Sequence, residues 1–417
     1  MNIAFGFDIF YPETNGVVTA TINLARNLIE MGHRVYFFVP NDKAFTDNEI
    51  ENGITVFHVP AINTFVYPGI KLSPYHSKFL LKYLLEYEID IVHTTSTWLV
   101  CLAVAHAAKR LGIPVVSTHH TLIDNPDYIQ YALRSKKLSK AAQKVVWSTM
   151  FTPFYRWVDV LTAPSQYTCS LLRTHLPQLD IRFISNGTDI SRFQTETPTH
   201  PIPQQVPPAF VGRRTLVFVG RQGYEKSIDV IIKAFSLLSE RIADARLLII
   251  GKGPAAEELQ ELASDLGLTD DSVVFTGLIP NDELIGSQLL SHLGAFVSAS
   301  LTENQAMTII EALCSGCPVI VPDQKNMTDL VDQGNGWVFV PNNEADLARK
   351  MQQALVDTQG RDRKAAEAKR SIDRFDGAAV AGQFFSLYEE LVESCRNKRT
   401  KAREVDTSFN NFSLYRN

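Results

Sequence analysis

Residues 295–321 read AFVSASLTENQAMTIIEALCSGCPVIV, and this stretch decides the fold. Its apolar ends, Ala295–Val297 and Val319–Val321, predict two short strands, and the residues between them predict a loop, a helix and a break at Gly-Cys-Pro. A strand, loop, helix and strand in succession form the building unit of a parallel sheet. The first amides of such a helix lack internal partners and lie at the positive end of the helix dipole, so the stretch predicts an anion site.

Two carboxylates in this stretch, Glu303 and Glu311, have seven residues between them. Glu311 lies about one to two turns into the predicted helix, where it can reach a ribose. Glu303 lies in the loop and is predicted to face the group that is attached to the phosphates. The backbone amides predicted to face the phosphates belong to Gln305, Ala306, Met307 and Thr308. This arrangement suits a nucleoside diphosphate that carries a sugar.

Short apolar segments alternate with helical segments along most of the chain, which predicts an α/β fold with parallel sheets. Residues 194–208 (QTETPTHPIPQQVPP) are rich in Pro, Thr and Gln without apolar periodicity, as is typical of a linker. The sequence therefore predicts two domains, residues 1–193 and 209–375, that face each other across a cleft. An amphipathic helix follows at about 376–395, and residues 396–417 are predicted to form a frayed polar tail.

Composition is compatible with this architecture. A length of 417 residues and a hydrophobic content of 45% are sufficient for two domains with full cores. The net charge of −5 gives no general attraction to nucleic acid. We expect neither a membrane span nor a signal peptide, because the sequence has no run of about eighteen apolar residues and MNIAFGFDIF has no basic leader. The expected location is the cytoplasm.

Two cations follow the first predicted strand of the second half, within VGRQGYEKS. Arg221 can bond two phosphate oxygens and Lys226 supplies a compact charge, which together would stabilise a diphosphate leaving group. Alone, the pattern is more typical of a solvated helix start, but Glu303 and Glu311 downstream favour the diphosphate interpretation. Because these cations would neutralise the diphosphate and the cleft loops contain no Asp-x-Asp motif, we expect no metal and no cofactor besides the donor substrate.

Three glycines are candidates for close backbone approach to the nucleotide. Gly251 and Gly253, in IIGKGP, predict a tight turn near the nucleotide or another element, with a plain turn as an equal alternative. Gly16, in ETNGVV, can bring the backbone close to a phosphate from the opposite wall, and an ordinary turn glycine is the alternative. A dinucleotide is disfavoured, because the full G-x-G-x-x-G and an acid about twenty residues later are missing.

Five cysteines are scattered along the chain and predict reduced thiols. Cys314 and Cys317 form a C-x-x-C pair, but no second pair or nearby His pair completes a zinc set. A structural role is therefore favoured for both.

Several further segments occur in the order found in one enzyme family: ETNGVVTATINLARNLIEMGHRV, DIVHTTSTW, STHHT, APSQYT, ISNGTDISRF, GRQGYEKSIDVIIKAF and IIGKGP. Together with the Glu-x7-Glu pair, they make residues 1–395 resemble the retaining glycosyltransferases of family 4, which have the two-Rossmann-domain (GT-B) architecture. Within that family, TENQAMTIIEAL and GRQGYEK are most similar to enzymes that glycosylate diacylglycerol.

The resemblance assigns roles to individual residues. His120, the second histidine of STHHT, would lie beside the donor sugar and bond its 6-hydroxyl, whereas His119 would pack. Glu303 would orient the sugar, and the helix at about 376–395 would cross back to the first domain. Two departures are notable: Ala306 stands where relatives usually have Gly, so its backbone must avoid positive φ or accept a modest cost, and Ser227 replaces a usual Gly or Asn without an expected consequence.

The acceptor side is less specific. Asp124, Asp127 and Tyr128 are candidate acceptor contacts, and the apolar loop Phe65–Tyr75 would help to bind an acyl acceptor by resemblance. The segment from Arg134 to Trp157 places lysines before aromatic residues at helical spacing, which suits adsorption to an anionic bilayer. A packed helix with charges outside and aromatics in the core gives the same pattern with equal weight.

The sequence therefore predicts a retaining glycosyltransferase. It would move a hexose, glucose or galactose from a UDP-sugar, to an acceptor hydroxyl on a membrane glycerolipid, at the cytoplasmic membrane face. The alternatives are a transferase that acts on a soluble glycan or small molecule, a sugar-nucleotide epimerase, and a non-catalytic nucleotide-sugar-binding protein. The epimerase is disfavoured because its acids and bases should cluster in the N-terminal half and are not found there.

Overall fold

A computed structural model describes residues 1–10, 16–41, 49–51, 53–63, 71–72, 77–120, 144–145 and 147–413. Within these ranges the chain forms two domains, each built on a parallel sheet. The strands of the first domain are β1 (Asn2–Gly6), β2 (Arg34–Asn41), β3 (Glu49–Glu51), β4 (Ile54–Pro60), β5 (Ile62–Asn63), β6 (Lys71–Leu72), β7 (Ile91–Thr94), β8 (Val115–Thr118), β9 (Val160–Ala163) and β10 (Asp180–Phe183). Those of the second are β11 (Thr215–Val219), β12 (Arg246–Ile250), β13 (Val273–Gly277), β14 (Ala295–Val297), β15 (Val319–Pro322) and β16 (Gly336–Phe339).

Helices cover both sheets. In the first domain the described helices are α1 (Gly16–Glu30), α2 (Ser77–Glu86), α3 (Leu99–Arg110), α4 (Thr152–Tyr155) and α5 (Gln166–His175). In the second they are α6 (Ile228–Ser239), α7 (Ala256–Asp265), α8 (Asn281–Gly286), α9 (Leu289–His292), α10 (Met307–Cys314), α11 (Lys325–Thr328), α12 (Glu344–Val356) and α13 (Thr358–Arg370). Helix α14 (Gly377–Ser413) ends the described chain.

The strand order places the amino-terminal strand of each domain near the centre of its sheet. The first sheet runs β10-β9-β8-β7-β1-β2-β4-β3, with β3 antiparallel to β4 and the other pairs parallel. The second runs β13-β12-β11-β14-β15-β16 with every pair parallel. Central strands such as β7 and β15 are buried at every position, because helices cover both faces of each sheet. The prediction of two Rossmann-like α/β domains is confirmed.

Helix α14 returns from the second domain and packs on α1 of the first. Its fully buried Tyr388 bonds through the hydroxyl to Nδ1 of His93 on β7, at 2.6 Å. The other ring nitrogen of His93 lies 2.6 Å from the Thr118 hydroxyl on β8. Burial lowers the pKa of His93 to about 3, so the ring is neutral at physiological pH and both nitrogens have a partner.

The helix also continues to Ser413, beyond residue 395, where a frayed tail was predicted to begin. The segment that begins RNKRTKARE at Arg396 is rich in Lys, Arg and Glu, which have high helix propensity, and it follows directly on a packed helix. A helix that is already nucleated needs no apolar face to extend.

The aromatic residues between Arg134 and Trp157 belong to the core of the first domain. Trp147, Phe151 and Phe154 are 6%, 2% and 1% exposed. Of the two alternatives that had equal weight, the packed one therefore holds for these three aromatic side chains. Adsorption of the segment to an anionic bilayer through its cations stays a prediction. The predicted membrane-facing cations Arg134, Lys136, Lys137 and Lys140 lie outside the described residues, and Lys144 is exposed.

No helix in the described ranges has both the length and the apolar character that a membrane crossing requires.

The Tyr388–His93 contact generates a stability prediction. Tyr388→Phe should lower the free energy of unfolding by about 1–3 kcal/mol, because it leaves a buried imidazole nitrogen without its partner. Tyr224→Phe is the matched control, since that hydroxyl bonds Glu258 at the surface and its loss should cost less than about 0.5 kcal/mol. Urea denaturation measures both. Equal effects of the two substitutions would show that the buried bond adds nothing.

Candidate active site

Lys226 and Glu303 meet at the carboxyl edge of the second sheet. Lys226 ends a short 3-10 turn after β11, and Glu303 lies in the loop between β14 and α10. The Lys226 Nζ atom contacts Glu303 Oε1, and the two side chains are 24% and 18% exposed. Because β11 and β14 are adjacent parallel strands, their carboxyl ends bring these distant residues together. The lysine and carboxylate predicted from separate motifs therefore share one site.

The start of α10 lies directly after this loop. Ala306 precedes the helix with φ −76° and ψ 113°, so its backbone avoids positive φ, one of the two outcomes predicted for this position. The amides of Ile309 and Ile310 bond to the Ala306 carbonyl oxygen, at 3.1 and 3.3 Å. In the part of the chain that the structure describes, the amides of Met307 and Thr308 have no acceptor. Amides without acceptors at a helix start are the feature that an anion site requires. The predicted contact of residues 305–308 with a phosphate stays a prediction.

The second predicted cation is also paired within the chain. Arg221 donates from one terminal nitrogen to Glu225 Oε1, at 2.5 Å. Arg221 and Lys226 are thus each neutralised by a carboxylate, the first by Glu225 and the second by Glu303. An incoming anion of higher charge would compete with these carboxylates for the same cations.

Gly251 and Gly253 approach the loop that carries Arg221. A Cβ atom at Gly251 would lie 2.0 Å from the Gly220 carbonyl oxygen, and one at Gly253 would lie 2.3 Å from that of Gln222. The Gln222 side chain also donates to the Gly251 carbonyl oxygen, at 2.7 Å. The close approach predicted for these glycines is therefore to another loop of the protein. Their predicted contact with a nucleotide stays a prediction.

Glu311 is buried one turn into α10, with 6% of its surface exposed. Burial raises the pKa of its carboxyl to about 7, against smaller opposing effects of the Asn281 hydrogen bond and the Arg192 charge. The Asn281 side-chain amide donates to Glu311 Oε1 at 3.2 Å, and Arg192 pairs with the neighbouring Asp282 at 2.6 Å. The structure thus adds Asn281 and Arg192 to the surroundings of a residue that the sequence identified alone.

The opposite wall of the cleft belongs to the first domain. His120 follows β8 and is half-buried. The pKa of its imidazole is lowered to about 3, mainly by desolvation and to a smaller extent by the charge of the neighbouring His119. His119 packs, as expected, with its Nδ1 atom 2.7 Å from the Tyr155 hydroxyl. Gly16 starts α1, and a Cβ atom there would lie an ordinary 3.6 Å from Met307 Cγ. Gly16 therefore lies against the start of α10, although packing alone does not require a glycine.

Asn304 and Gln305 were not predicted to join the two walls. Gln305 accepts from the Asn186 amide at 2.7 Å and donates to the Ser185 hydroxyl at 2.8 Å, both after β10. Asn304 is buried and bonds to Ser165, Thr168 and the His119 carbonyl oxygen. Two consecutive side-chain amides beside Glu303 were the available sequence signal, but their partners lie in segments that only the fold brings close.

The remaining candidate positions have simpler outcomes. Asp124, Asp127, Tyr128 and most of Phe65–Tyr75 lie outside the described residues. Cys314 and Cys317 are buried in the second domain, and burial raises the pKa of both thiols to about 12. Within the described ranges, no group of three or more His, Cys, Asp or Glu is placed to hold a metal ion.

Comparison with known proteins identifies the family. One family model, Glycosyltransferase Family 4, matches residues 14–192, and a second, Glycosyl transferases group 1, matches residues 203–371. The chain belongs to the family 4 glycosyltransferases. The glycosyltransferase shares its two-domain fold with sucrose-phosphate synthase from Thermosynechococcus elongatus, at a TM-score of 0.73 and 20% identity over 94% of this chain and 99% of that one.

Two curated relatives extend over most of this glycosyltransferase. Alpha-monoglucosyldiacylglycerol synthase of Streptococcus pneumoniae is 28% identical over 86% of this chain and 79% of its own length. A GDP-mannose-dependent alpha-mannosyltransferase of Mycobacterium tuberculosis is 26% identical over 96% of this chain and 98% of its own length. The resemblance to diacylglycerol glycosyltransferases found in the sequence is confirmed.

Ser227, for which no consequence was expected from sequence, has a strained backbone conformation. It follows Lys226, caps α6 and has φ 50° and ψ 42°, the left-handed conformation. A side chain in this region costs about 1 kcal/mol, which glycine avoids. A Gly or Asn, which the family resemblance implies at this position, would therefore have a conformational reason.

Ser227→Gly should therefore raise the free energy of unfolding of the glycosyltransferase by about 0.5–1 kcal/mol. Ser236→Gly, inside the same helix α6, is the matched control and should lower it by about 0.5 kcal/mol, because glycine is a poor helix former. Chemical denaturation of the two variants gives the comparison. A loss of stability in both would contradict the strain at Ser227.

Proposed function

We propose that this glycosyltransferase moves a hexose with retention of configuration from a UDP-sugar, UDP-glucose or UDP-galactose, to a hydroxyl of a membrane glycerolipid. The observation that carries the donor part is the cluster at the start of α10. Two amides without acceptors, those of Met307 and Thr308, follow the loop in which Glu303 contacts Lys226. A diphosphate needs such amides and cations together.

The proposed donor pose follows from the positions of the charges. The diphosphate oxygens accept hydrogen bonds from the amides of Met307 and Thr308. They also form ion pairs with Arg221 and Lys226, which leave their carboxylate partners. Release of Lys226 frees Glu303 to accept hydrogen bonds from the sugar hydroxyls. Glu311 accepts hydrogen bonds from the ribose hydroxyls. Because the leaving diphosphate gains negative charge as the glycosidic bond breaks, the two cations stabilise the transition state more than the ground state.

His120 completes the proposed site from the first domain. Its low pKa keeps the imidazole neutral at physiological pH, so the ring can bond the sugar 6-hydroxyl without adding a positive charge beside an electron-poor anomeric carbon. Retention is proposed to proceed by attack on the front face. The acceptor oxygen forms the new bond to the anomeric carbon as the phosphate oxygen leaves, and that oxygen takes the acceptor proton.

The lipid part of the proposal is supported by the relative from Streptococcus pneumoniae, whose name states a monoglucosyldiacylglycerol product. The surface of α2 adds a physical argument. Phe79 and Leu85 are 51% and 61% exposed on this helix, and Lys78 and Lys82 are exposed beside them. Apolar side chains flanked by cations suit the surface of an anionic bilayer.

A second donor is favoured by a specific observation. The relative from Mycobacterium tuberculosis is named as GDP-mannose-dependent and matches nearly the whole chain. GDP-mannose is therefore the second candidate donor, with the same residues on its diphosphate.

A donor and acceptor matrix tests the proposal. UDP-glucose, UDP-galactose and GDP-mannose are each incubated with diacylglycerol in anionic vesicles, diacylglycerol in neutral vesicles, or soluble sugars, and free nucleoside diphosphate and glycolipid are measured. We expect glycolipid from a UDP-hexose, with more product on anionic vesicles. Product only on soluble sugars would overturn the lipid acceptor, and product only from GDP-mannose would overturn the UDP donor.

Two variants separate binding from turnover in this assay. Arg221→Ala should weaken UDP affinity by about 10–100-fold, because a charge-assisted bond to phosphate is lost. Glu303→Ala should leave UDP affinity within about threefold while lowering turnover by about 100-fold, because it acts on the sugar. Calorimetry gives the affinities. Arg241→Ala and Glu261→Ala, exposed charges of the same domain, are the controls. Unchanged affinity in Arg221→Ala would remove its diphosphate role.

The pKa of Glu311 predicts a proton linkage. Since the folded-state pKa lies above that of the unfolded chain, the carboxyl favours the folded state below its ordinary pKa, and this contribution is lost as pH rises through about 7. Ribose hydroxyls that donate to the carboxylate favour its ionised form. UDP affinity should therefore rise by about tenfold from pH 6 to pH 8, with release of a proton.

Calorimetry in two buffers of different ionisation enthalpy measures the released proton. Glu311→Gln is the control, because titration of the nucleotide's own phosphate is common to both proteins. An identical pH dependence in the variant would contradict a role for the Glu311 carboxylate.

A further inference from the structure

Asn304 lies between the two domains with 4% of its surface exposed. Its side-chain oxygen accepts from the hydroxyls of Ser165 and Thr168, at 3.0 and 2.6 Å. Its side-chain nitrogen donates to the His119 carbonyl oxygen, at 2.7 Å. Both ends of this buried amide are therefore bonded to the first domain, although Asn304 belongs to the second. A buried amide without these partners would cost about 1–3 kcal/mol, so the arrangement favours the closed cleft.

The bond between Asn304 and His119 joins residues that are adjacent in sequence to two candidate site residues, Glu303 and His120. Asn304 directly follows Glu303, and the His119 peptide directly precedes His120. Consecutive Cα atoms are about 3.8 Å apart, so a bond between Asn304 and the His119 carbonyl fixes the backbones of Glu303 and His120 relative to each other. The two residues proposed to act on the sugar come from different domains, and this hydrogen bond joins their immediate chain neighbours.

Other contacts across the cleft hold the same face of the first domain without reaching this peptide. Asp329 accepts from the amides of Gln166 and Tyr167 at the start of α5, at 3.1 and 3.5 Å. Gln305 bonds to the segment after β10. These contacts hold the two domains together. The Asn304 bond in addition fixes the position of the Glu303 loop relative to the end of β8.

We propose that Asn304 is a positioning residue that registers Glu303 against His120 when the two domains close. The inference rests on the proposed function, because it assigns Asn304 to the sugar end of that donor site. In the proposed donor pose, the residues assigned to the diphosphate and the ribose are Arg221, Lys226, Glu311 and the amides of α10, all in the second domain. Loss of the Asn304 contact should therefore impair turnover while nucleotide affinity remains.

Asn304→Asp and Thr168→Val separate the two ends of the amide. The Asp variant keeps an acceptor for Ser165 and Thr168 but places a carboxylate oxygen against the His119 carbonyl, so the bond to that peptide is lost. The Val variant keeps the His119 bond and removes one hydroxyl. We expect Asn304→Asp to lower kcat by at least 30-fold with UDP affinity within threefold, and Thr168→Val to lower kcat by less than threefold.

Asn335→Asp is the matched control for a buried charge. Asn335 is 2% exposed, and its side-chain nitrogen donates to the Leu330 carbonyl oxygen at 3.2 Å, inside the second domain. The Asn335→Asp substitution also removes a hydrogen bond from a side-chain amide to a backbone carbonyl, but away from the cleft. Its kcat per folded molecule should therefore stay within threefold of wild type. A kcat of Asn304→Asp within threefold of wild type, or a loss of UDP affinity as large as the loss of kcat, would overturn the inference.

Hydrogen exchange tests the contact without enzyme activity. In Asn304→Ala, the amides of residues 163–170 and 117–120 should exchange at least tenfold faster than in wild type, with residues 246–250 of the second sheet unchanged. Unchanged exchange in the first two segments would overturn the inference even if the variant is inactive. If wild type neither binds UDP nor transfers sugar, the proposed function fails and the exchange experiment alone decides whether Asn304 joins the domains.

Discussion

The loop that carries Glu303 depends on hydrogen bonds across the cleft. Residues 298–306 lie outside helices and strands, and the side chains of Asn304 and Gln305 bond to the first domain instead of to their own. Buried side-chain amides need partners, so the loop has a defined shape while the two walls are together. The start of α10 follows this loop directly, and its position is tied to the same constraint.

Charge at the cleft is balanced within the protein itself. Arg221 is held by Glu225, and Lys226 is held by Glu303, which lies in the loop before α10. These pairs are partly exposed, so their net contribution to stability is small. Their consequence is for binding: an anion of higher charge has to compete with Glu303 for Lys226, and Glu303 is then released toward the sugar end of the site.

Much of the architecture follows from local sequence. The strands at the ends of residues 295–321 are β14 and β15, as the apolar runs predict, because a strand buried on both faces needs consecutive apolar residues. The environment of Trp147, Phe151 and Phe154 could not be predicted in the same way. Helical spacing states which residues share a face, but it does not state whether another element or a bilayer covers that face.

The sequence by itself determined the family, the two α/β domains, the position of Arg221, Lys226 and Glu303 after strands, and that of Glu311 within a helix. These follow from periodicity and from motifs within short segments. Tertiary structure alone decided that Lys226 pairs with Glu303, that Ser227 is left-handed, and that Asn304 reaches the His119 peptide. Each of these depends on atoms from segments that are separate in the chain or on a backbone angle set by packing. Such contacts form only after loop closure brings the segments together, and the local pattern of residues carries no record of which partner each side chain will meet.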